Sequence, residues 1–365
     1  GCLRREQITR NRDEIGRHGD RLPAVDNLDR QHTEPLLSKM IDRGSQPAVV
    51  VVPEFLGDAH LAALRRRVDV VYDPDLHADL GGLFDAIADA SAVVIRNRTQ
   101  VNAGFLAAAP KLVAVGRLGV GLDNVDLDAT AKVNVEVLVA RGANTVSVAE
   151  YVIGAIFALT RRVFSMKDAL LAGSWPRQGS AFGQEMDGKT LGLVGFGAIA
   201  QAVSVRAQGL GMQVVAFDPH LGAGDPAWDF VDRADFTSVL ERSDVVSLHV
   251  PLDASTRHLM DADAFDRMRP GALLINTARG AVVDDGALVA ALRNGKLAGA
   301  ALDVFADEPL GPGLREQFSG IDNLILTPHL AGNTIESAER VAMTTVNAVL
   351  DRLSQHDEER PSPDL

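Results

Sequence analysis

The stretch Thr190-Leu191-Gly192-Leu193-Val194-Gly195-Phe196-Gly197-Ala198-Ile199-Ala200 decides the fold of this 365-residue chain. Its first half is a short apolar run typical of a buried strand, and its second half is a G-x-G-x-x-A turn that opens a helix. Gly195 permits the tight turn, and Gly197 lets the backbone approach a pyrophosphate. Ala198 and Ile199 begin the helix, whose free amides attract phosphate. The pattern therefore predicts a dinucleotide-binding βαβ unit.

An acidic residue follows this turn at the spacing expected of a ribose contact. Asp218 ends the apolar run Val214-Val215-Ala216-Phe217, roughly 20 residues beyond the glycines. Its carboxylate would accept hydrogen bonds from the ribose hydroxyls and repel a 2′-phosphate. Pro219-His220 comes next, where an NADP site often carries an arginine. We predict NAD as the cofactor, with NADP as the alternative.

Strand and helix patterns alternate on both sides of this unit. Hydrophobic residues make up 46% of the chain but aromatic residues only 5%, as is typical of parallel sheets buried on both faces. A length of 365 residues suits two domains. We predict an α/β protein with two Rossmann-like, doubly wound parallel sheets. Long helices are predicted at 146–171 and 335–353, and further strands at 48–52, 68–72, 92–95, 112–115, 213–217, 245–248, 272–275, 298–302 and 324–326.

Composition restricts the classes of partner. A net charge of −13 argues against a nucleic-acid-binding protein, which needs a basic surface. A single cysteine, Cys2, excludes a disulfide framework and favours a cytoplasmic protein. The nine histidines show no ligand spacing, so we expect no metal site. No apolar run reaches the roughly 18 residues of a membrane helix, and we expect no membrane partner.

The first 45 residues differ from the rest. Residues 1–45 contain 9 basic and 8 acidic residues, against 27 and 41 in the remainder, and they contain no apolar run. We interpret this segment as a flexible N-terminal extension.

Three stretches near the carboxyl terminus each follow a predicted strand. Because ligands of open α/β sheets bind at the carboxyl ends of the strands, their side chains should meet at one site. Arg279 offers a guanidinium for a substrate carboxylate, His329 an imidazole for proton transfer, and Glu308 a carboxylate that orients this imidazole. These are the groups that oxidation of a 2-hydroxy acid requires. The stretches are Ile275–Gly280, Leu302–Pro309 and Thr327–Gly332.

With these motifs in this order, the chain resembles the D-isomer-specific 2-hydroxyacid dehydrogenases from about residue 49 to about 349. The resemblance rests on the stretches Gly116–Asp126, Asn144–Glu150, Gly195–Ala200, Leu248–Leu252, Asn276–Gly280, Ala301–Pro309 and Pro328–Gly332. It implies the catalytic roles given above for Arg279, Glu308 and His329. It implies further cofactor contacts at Pro251, Thr277, Ala278, Asp303 and Gly332, and substrate contacts at Gly119, Val120, Gly121 and Asn144.

The resemblance also implies the architecture. A substrate domain made of 46–145 and 328–353 would be interrupted by an inserted NAD-binding domain at 146–327. Residues 354–365 would form a polar tail. Family members are commonly dimers, so we expect a homodimer formed through the cofactor domain.

Three arginines suggest the kind of substrate. Arg96 and Arg98 follow the strand at 92–95, and Arg117 follows the next one. In an acidic protein they would suit a substrate with a second anionic group, as in the family's phosphoglycerate and sulfolactate dehydrogenases, which carry similar stretches. The predicted substrate is therefore of the 3-phosphoglycerate or 3-sulfolactate type. The alternatives are a glyoxylate or hydroxypyruvate reductase and a non-enzymatic, NAD-sensing corepressor.

Overall fold

The computed structural model describes residues 47–161, 166–175, 177 and 183–359. The predicted extension at 1–45 lies outside these ranges, as does the end of the predicted tail, at 360–365.

The first sheet has five strands, all parallel, in the order β2-β1-β3-β4-β5. Its order reverses between β1 and β3, and this reversal creates a crevice at the carboxyl edge of the sheet. The strands are β1 (Val49–Val52), β2 (Asp69–Tyr72), β3 (Ala92–Ile95), β4 (Ala114–Arg117) and β5 (Glu136–Val139).

The second sheet has seven parallel strands in the order β12-β11-β10-β9-β6-β7-β8. Its order reverses between β6 and β9, as in dinucleotide-binding sheets. The strands are β6 (Thr190–Val194), β7 (Gln213–Phe217), β8 (Asp232–Arg233), β9 (Val245–Leu248), β10 (Ala272–Asn276), β11 (Leu297–Leu302) and β12 (Leu324–Leu326). The prediction of two parallel α/β sheets is confirmed.

Helices connect these strands and supply the apolar surfaces that cover the sheets. Many begin at a side-chain cap; Asp79, Asn102 and Asp126, for example, each accept a hydrogen bond from a first-turn amide. The helices are α1 (Asp58–Arg65), α2 (Leu80–Ile87), α3 (Ala103–Ala108), α4 (Leu127–Lys132), α5 (Thr145–Arg161), α6 (Lys167–Leu171), α7 (Ala198–Gly209), α8 (Phe236–Arg242), α9 (Ala262–Arg267), α10 (Asp285–Arg293), α11 (Pro312–Phe318) and α12 (Ile335–Glu359).

The last helix returns to the first sheet. Val346 and Val349 of α12 are buried and belong to the same apolar core as Val50 of β1 and Ala114 of β4. The chain therefore builds the first sheet, crosses to the second, and comes back to complete the core of the first.

Two predicted helices differ from the observed ones. The helix predicted at 146–171 is not continuous, because Met166 lies outside helical structure between α5 and α6. The terminal helix continues past residue 353 to Glu359, so 354–359 are helical rather than part of a tail. Three contacts hold these last turns: Arg67 donates to Ser354, and Arg352 pairs with both Glu136 and Glu359.

Candidate active site

The candidate site lies where the strands of the second sheet end. The register places the ends of β6, β7 and β9 side by side, so Gly195, Asp218 and His249 follow neighbouring strand ends. The ends of β10, β11 and β12 align in the same way and are followed by Thr277, Asp303 and Thr327. One edge of the sheet therefore carries both the glycine turn and the three stretches singled out in the sequence.

The glycine turn has the backbone that its sequence predicts. Gly195 has φ +87°, and a Cβ there would lie 2.7 Å from the carbonyl oxygen of His249, so only glycine fits. A Cβ at Gly197 would meet no heavy atom within 4 Å, so the space above this turn is open. Ala198, which is exposed, and Ile199 then begin α7. The open space and the helix N-terminus fit a pyrophosphate group.

Asp218 is half-buried and lies against the glycine turn. Its Oδ2 accepts from the Phe196 amide at 2.8 Å, and its Oδ1 accepts from the His220 amide at 2.8 Å. A carboxylate has further lone pairs, so Asp218 can still accept from ribose hydroxyls. No arginine or lysine occupies positions 219–222.

A second observation also fits a bound dinucleotide. The Thr277 hydroxyl is buried and finds no hydrogen-bond partner among the described residues. A buried polar group without a partner is costly, and a ligand atom would remove that cost. The next residue, Ala278, is buried. Pro251, which follows β9 at the same edge of the second sheet, is exposed, and its carbonyl accepts from the Thr256 hydroxyl.

Asp303 holds the segment that carries His329. The side chain is buried, and its carboxylate accepts from the Thr327 hydroxyl at 2.6 Å and from the amides of Leu330 and Ala331 at 2.7 and 2.8 Å. The Tyr151 hydroxyl donates to the same Thr327 oxygen, whose own proton goes to Asp303. The predicted contact of Asp303 with the cofactor stays a prediction, whereas these internal bonds are a role that the sequence did not reveal.

His329 and Glu308 form a hydrogen-bonded pair. His329 Nδ1 lies 2.8 Å from Glu308 Oε2, and Glu308 Oε1 accepts from the Phe305 amide. A carboxylate at Nδ1 fixes a proton there, which leaves Nε2 to give or take a proton. His329 has φ +54°, a left-handed conformation that is uncommon for a residue with a side chain. The backbone thus holds the imidazole in a specific position at the end of β12.

Arg279 reaches from the second sheet towards the first. Its Nε donates to Asp123 Oδ1 at 3.2 Å, and its Nη1 donates to the Ala278 carbonyl at 2.7 Å. A Cβ at Gly121 would lie 2.7 Å from Nη2, so the guanidinium rests against this glycine. The predicted groups Arg279 and Gly121 are therefore brought together, and Asp123 joins them.

Arg117 lies close to two other arginines. Burial lowers the pKa of its guanidinium below the usual value; the carboxylates of Glu54 and Asp123 oppose this effect, and the positive charges of Arg96 and Arg279 add to it. Like charges repel one another, and the carboxylates of Glu54 and Asp123 offset part of this repulsion. The three guanidinium groups therefore form a concentration of positive charge in an acidic chain.

The remaining predicted substrate residues lie around this cluster. Gly119 has φ +147°, and the Arg117 guanidinium fills the space where its side chain would be. Val120 is exposed. A Cβ at Gly332 would lie 3.0 Å from Asn144 Nδ2, so these two residues are neighbours. Arg98 is exposed and donates to His77 Nε2 at 3.2 Å.

His249 differs from His329 in its surroundings. Burial lowers the pKa of His249 to about 4, and its Nε2 lies 2.9 Å from the hydroxyl of Ser247. A histidine that stays neutral across the physiological range suits a structural role better than proton transfer. Among the residues that the structure describes, no group of three or more His, Cys, Asp or Glu could hold a metal ion.

The sequence comparisons agree with this geometry. A family model described as D-isomer specific 2-hydroxyacid dehydrogenase, NAD binding domain, matches residues 153–331. The chain is 51% identical over 301 residues to the (S)-sulfolactate dehydrogenase of Chromohalobacter salexigens, covering 82% of this chain and 96% of that protein. It is 36% identical to the hydroxypyruvate reductase of Thermotoga maritima, covering 76% and 89%. It is 37% identical to the D-3-phosphoglycerate dehydrogenase of Mycobacterium leprae, covering 82% of this chain but only 56% of that one.

Solved structures resemble the chain over most of its length. The TT0316 protein from Thermus thermophilus superposes with a TM-score of 0.74 at 32% identity, covering 87% of this chain and 99% of that one. The D-lactate dehydrogenase from Aquifex aeolicus, complexed with NAD and lactic acid, gives 0.73 at 26%, covering 85% and 96%. An NADPH-dependent glyoxylate/hydroxypyruvate reductase from Sinorhizobium meliloti, in complex with NADP and malonate, gives 0.73 at 27%, covering 85% and 94%. Within the described ranges, none of the helices combines the length and apolar character that a bilayer crossing requires.

Proposed function

Because the chain belongs to the D-isomer-specific 2-hydroxyacid dehydrogenase family, we propose that it is an NAD-dependent oxidoreductase that interconverts a 2-hydroxy acid and its 2-oxo acid. We assign it a substrate that carries a second anionic group, with 3-sulfolactate first and 3-phosphoglycerate second. The relatives reported above carry the names of dehydrogenases and reductases, and none supports the corepressor alternative.

The proposed catalytic residues divide the chemistry of the substrate between them. His329 Nε2 takes the proton of the C2 hydroxyl during oxidation and returns it during reduction, while Glu308 stabilises the imidazolium through Nδ1. Arg279 binds the substrate carboxylate and polarises the C2 oxygen. The nicotinamide, when bound, accepts or supplies the hydride. These roles are supported by the 2.8 Å pair of His329 and Glu308 and by the position of Arg279 against Gly121.

The proposed cofactor residues favour NAD over NADP. Gly195, Gly197 and the start of α7 would hold the pyrophosphate, and Asp218 would hold the ribose hydroxyls. A 2′-phosphate placed beside the Asp218 carboxylate would be repelled, and no arginine or lysine at 219–222 would compensate. Thr277, Asp303 and Gly332 would line the nicotinamide side.

One observation carries the choice of substrate: the guanidinium groups of Arg117 and Arg279 lie against Gly119 and Gly121 of one short segment, and the positive charge of Arg96 also acts on Arg117. A substrate with a carboxylate at one end and a sulfonate or phosphate at the other would neutralise this cluster. The 51% identity to a sulfolactate dehydrogenase favours the sulfonate. Glyoxylate or hydroxypyruvate reduction is the second candidate, and the similarity to a hydroxypyruvate reductase favours it.

We also propose the domain division, with 46–145 and 328–353 forming a substrate domain around an NAD-binding domain at 146–327. The return of α12 to the first sheet supports this division. A homodimer formed through the cofactor domain and a cytoplasmic location stay predictions.

An NADH-oxidation screen tests the substrate. The purified chain is assayed with 3-sulfopyruvate, 3-phosphohydroxypyruvate, hydroxypyruvate and glyoxylate, using NADH and NADPH in parallel. We expect the highest kcat/KM with 3-sulfopyruvate and NADH. Higher kcat/KM with glyoxylate or hydroxypyruvate than with either doubly anionic acid would replace our proposal with the reductase alternative.

A substitution tests the assigned acid–base residue. His329→Ala should lower kcat by roughly two to four orders of magnitude, the usual contribution of a general acid or base. NADH binding, followed by fluorescence, should persist. His356→Ala on α12, remote from the site, is the control and should leave both quantities unchanged. A normal kcat in His329→Ala would refute the assignment.

A further inference from the structure

Glu54 is a buried carboxylate that the proposed chemistry does not use. It follows β1 directly after Pro53, and only 3% of its surface is exposed. The end of β1 borders the crevice between β1 and β3, where the strand order of the first sheet reverses. In open α/β sheets ligands bind at this kind of crevice. In this chain the carboxylate of Glu54 lies beside that crevice.

The loop after β3 wraps around this carboxylate. Glu54 Oε1 accepts from the amides of Arg96 and Thr99 at 2.9 and 3.1 Å, and Oε2 accepts from the amide of Arg98 at 3.2 Å. Three convergent backbone amides make a strong anion-binding arrangement. Glu54 therefore fixes the backbone from which Arg96 and Arg98 project.

The residues on either side of Glu54 hold the two arginine side chains. The Phe55 carbonyl accepts from Arg96 Nη1 at 3.3 Å. The Pro53 carbonyl lies 3.3 Å from His77 Nδ1, and His77 Nε2 accepts from Arg98 Nη1 at 3.2 Å. Backbone and side chains of the arginine loop are thus both anchored to the three residues that follow β1.

Glu54 also acts by its charge. Burial raises the pKa of its carboxyl, but the hydrogen bonds from Thr99, Arg96 and Arg98 outweigh this effect and leave the pKa below its ordinary value. The group is therefore ionised at neutral pH. This negative charge, together with that of Asp123, supports the charged form of the half-buried Arg117.

We propose that Glu54 is a positioning residue that sets the preference for a doubly anionic substrate, because it fixes the Arg96–Thr99 loop and balances the charge of Arg117. The inference rests on the proposed function, since it assigns these arginines to the distal anion. Glu54 itself does not touch the substrate.

Glu54→Gln tests the inference because it keeps the shape but removes the charge and one acceptor oxygen. We expect KM for 3-sulfopyruvate to rise at least tenfold, with kcat changed less than threefold. The kcat/KM for glyoxylate, which has no distal anion, should stay within threefold of that of the unsubstituted chain. A purely structural role would instead lower kcat/KM equally for both substrates, and this outcome would overturn the proposal, as would no change for either.

Two further variants complete the design. Glu136→Gln, at an exposed carboxylate of the same sheet, should leave the ratio of the two kcat/KM values unchanged. Glu54→Asp keeps the charge but has a shorter reach, so it serves as a test even if the glutamine variant fails to fold. We expect it to lower the ratio of kcat/KM for 3-sulfopyruvate to kcat/KM for glyoxylate by less than the glutamine variant does. A ratio equal to that of the unsubstituted chain would refute a positioning role.

The unsubstituted chain separates this inference from the proposed function. If it reduces glyoxylate but shows no preference for 3-sulfopyruvate or 3-phosphohydroxypyruvate, the Glu54 inference is refuted and the dehydrogenase assignment stays in place. Absence of all 2-oxo acid turnover refutes the proposed function itself.

Discussion

At the scale of single residues, carboxylates hold each group to which we assign chemistry. Glu308 accepts from His329, Asp123 accepts from Arg279, and Asp303 binds the backbone beside His329. Because each carboxylate limits the positions of its partner, small displacements should affect turnover more than they affect folding. Substitutions that shift a catalytic group without removing it therefore test the site most directly.

Gly121→Ala is such a substitution. The new Cβ would lie 2.7 Å from Arg279 Nη2 and 3.0 Å from Asp123 Oδ2, which are both ends of flexible side chains. The guanidinium should move, while the fold should not. We expect kcat/KM for the 2-oxo acid to fall by about 10- to 100-fold, as expected for a misplacement of about 1 Å, and the melting temperature to shift by less than about 2 °C.

Gly313→Ala provides the matched control, because a Cβ there meets no atom within 4 Å. It should leave kcat/KM unchanged. Activity of Gly121→Ala equal to that of the unsubstituted chain would show that Arg279 does not rely on this glycine.

Asp285 should make the stability depend on pH. It lines a cavity of about 600 Å³ together with Asp284, His258 and Asp307. Burial, with the charges of Asp284 and Asp307 adding and His258 opposing, raises the pKa of Asp285 from 3.8 to about 6. The folded chain thus binds more protons than the unfolded chain between pH 4 and 6, so this contribution to the free energy of unfolding falls as pH rises through that range.

Asp285→Asn should remove this dependence. At pH 8 we expect it to raise the free energy of unfolding by about 1–2 kcal/mol, and near pH 4 to leave it unchanged. Urea denaturation at the two pH values measures the difference. Asp128→Asn, at an exposed acid in the first turn of α4, is the control and should show no gain at pH 8. An equal effect of Asp285→Asn at both pH values would contradict the raised pKa.

The sequence predicted which side chains follow the strands at the candidate site, but it did not predict the residues that hold them in place. Arg279, Glu308 and His329 each follow an apolar run, which is a local signal. Glu54 is separated by 42 residues from Arg96, whose amide it binds, so its role depends on strands that pair only after folding. The one signal available in the sequence was a carboxylate that follows a buried strand after a single proline, Pro53.

At the scale of elements, strands were predicted better than helices. Buried parallel strands form continuous apolar runs, and most predicted runs fall within two residues of an observed strand. The helices α3 and α4 have six residues each, too few to show a helical period, and were missed. Their caps, Asn102 and Asp126, were the signals available.

The N-terminal cap of α9, a helix packed on the second sheet, gives a prediction about stability at the scale of an element. Asp261 precedes α9, and its Oδ1 accepts from the Ala264 amide at 2.9 Å. Asp261→Ala should lower the free energy of unfolding by about 1 kcal/mol, because it leaves a first-turn amide without its acceptor. Asp263→Ala, which removes a carboxylate from the same turn but no cap, should cost less than half as much. Equal losses in urea denaturation would attribute the effect to charge rather than to capping.

At the scale of the whole molecule, the chain leaves the first sheet after β5 and returns to it with α12. The sequence alone showed two sets of alternating elements, and only the resemblance to a family implied that one set is inserted into the other. Hydrophobic periodicity cannot reveal this, because an amphipathic helix is complementary to any apolar sheet face. In the structure, α12 packs against the first sheet.

The contact between Gly116 and α12 tests this return. A Cβ at Gly116 would lie 2.6 Å from Val349 Cγ2 and 2.9 Å from Thr345 Cγ2. Gly116→Ala should therefore lower the free energy of unfolding by about 1–3 kcal/mol through overpacking, and Val349→Ala should lower it by about 2 kcal/mol through a cavity.

In the double variant the new methyl group partly fills that cavity, so the combined loss should be smaller than the sum by about 1 kcal/mol or more. Pairing Gly116→Ala with Val239→Ala, a buried residue in the core of the second sheet, should give additive losses. Additive losses in the first pair as well would mean that α12 does not pack on β4 in solution. The proposed insertion of one domain into the other would then lose its support, because this helix is what carries the chain back to the first sheet.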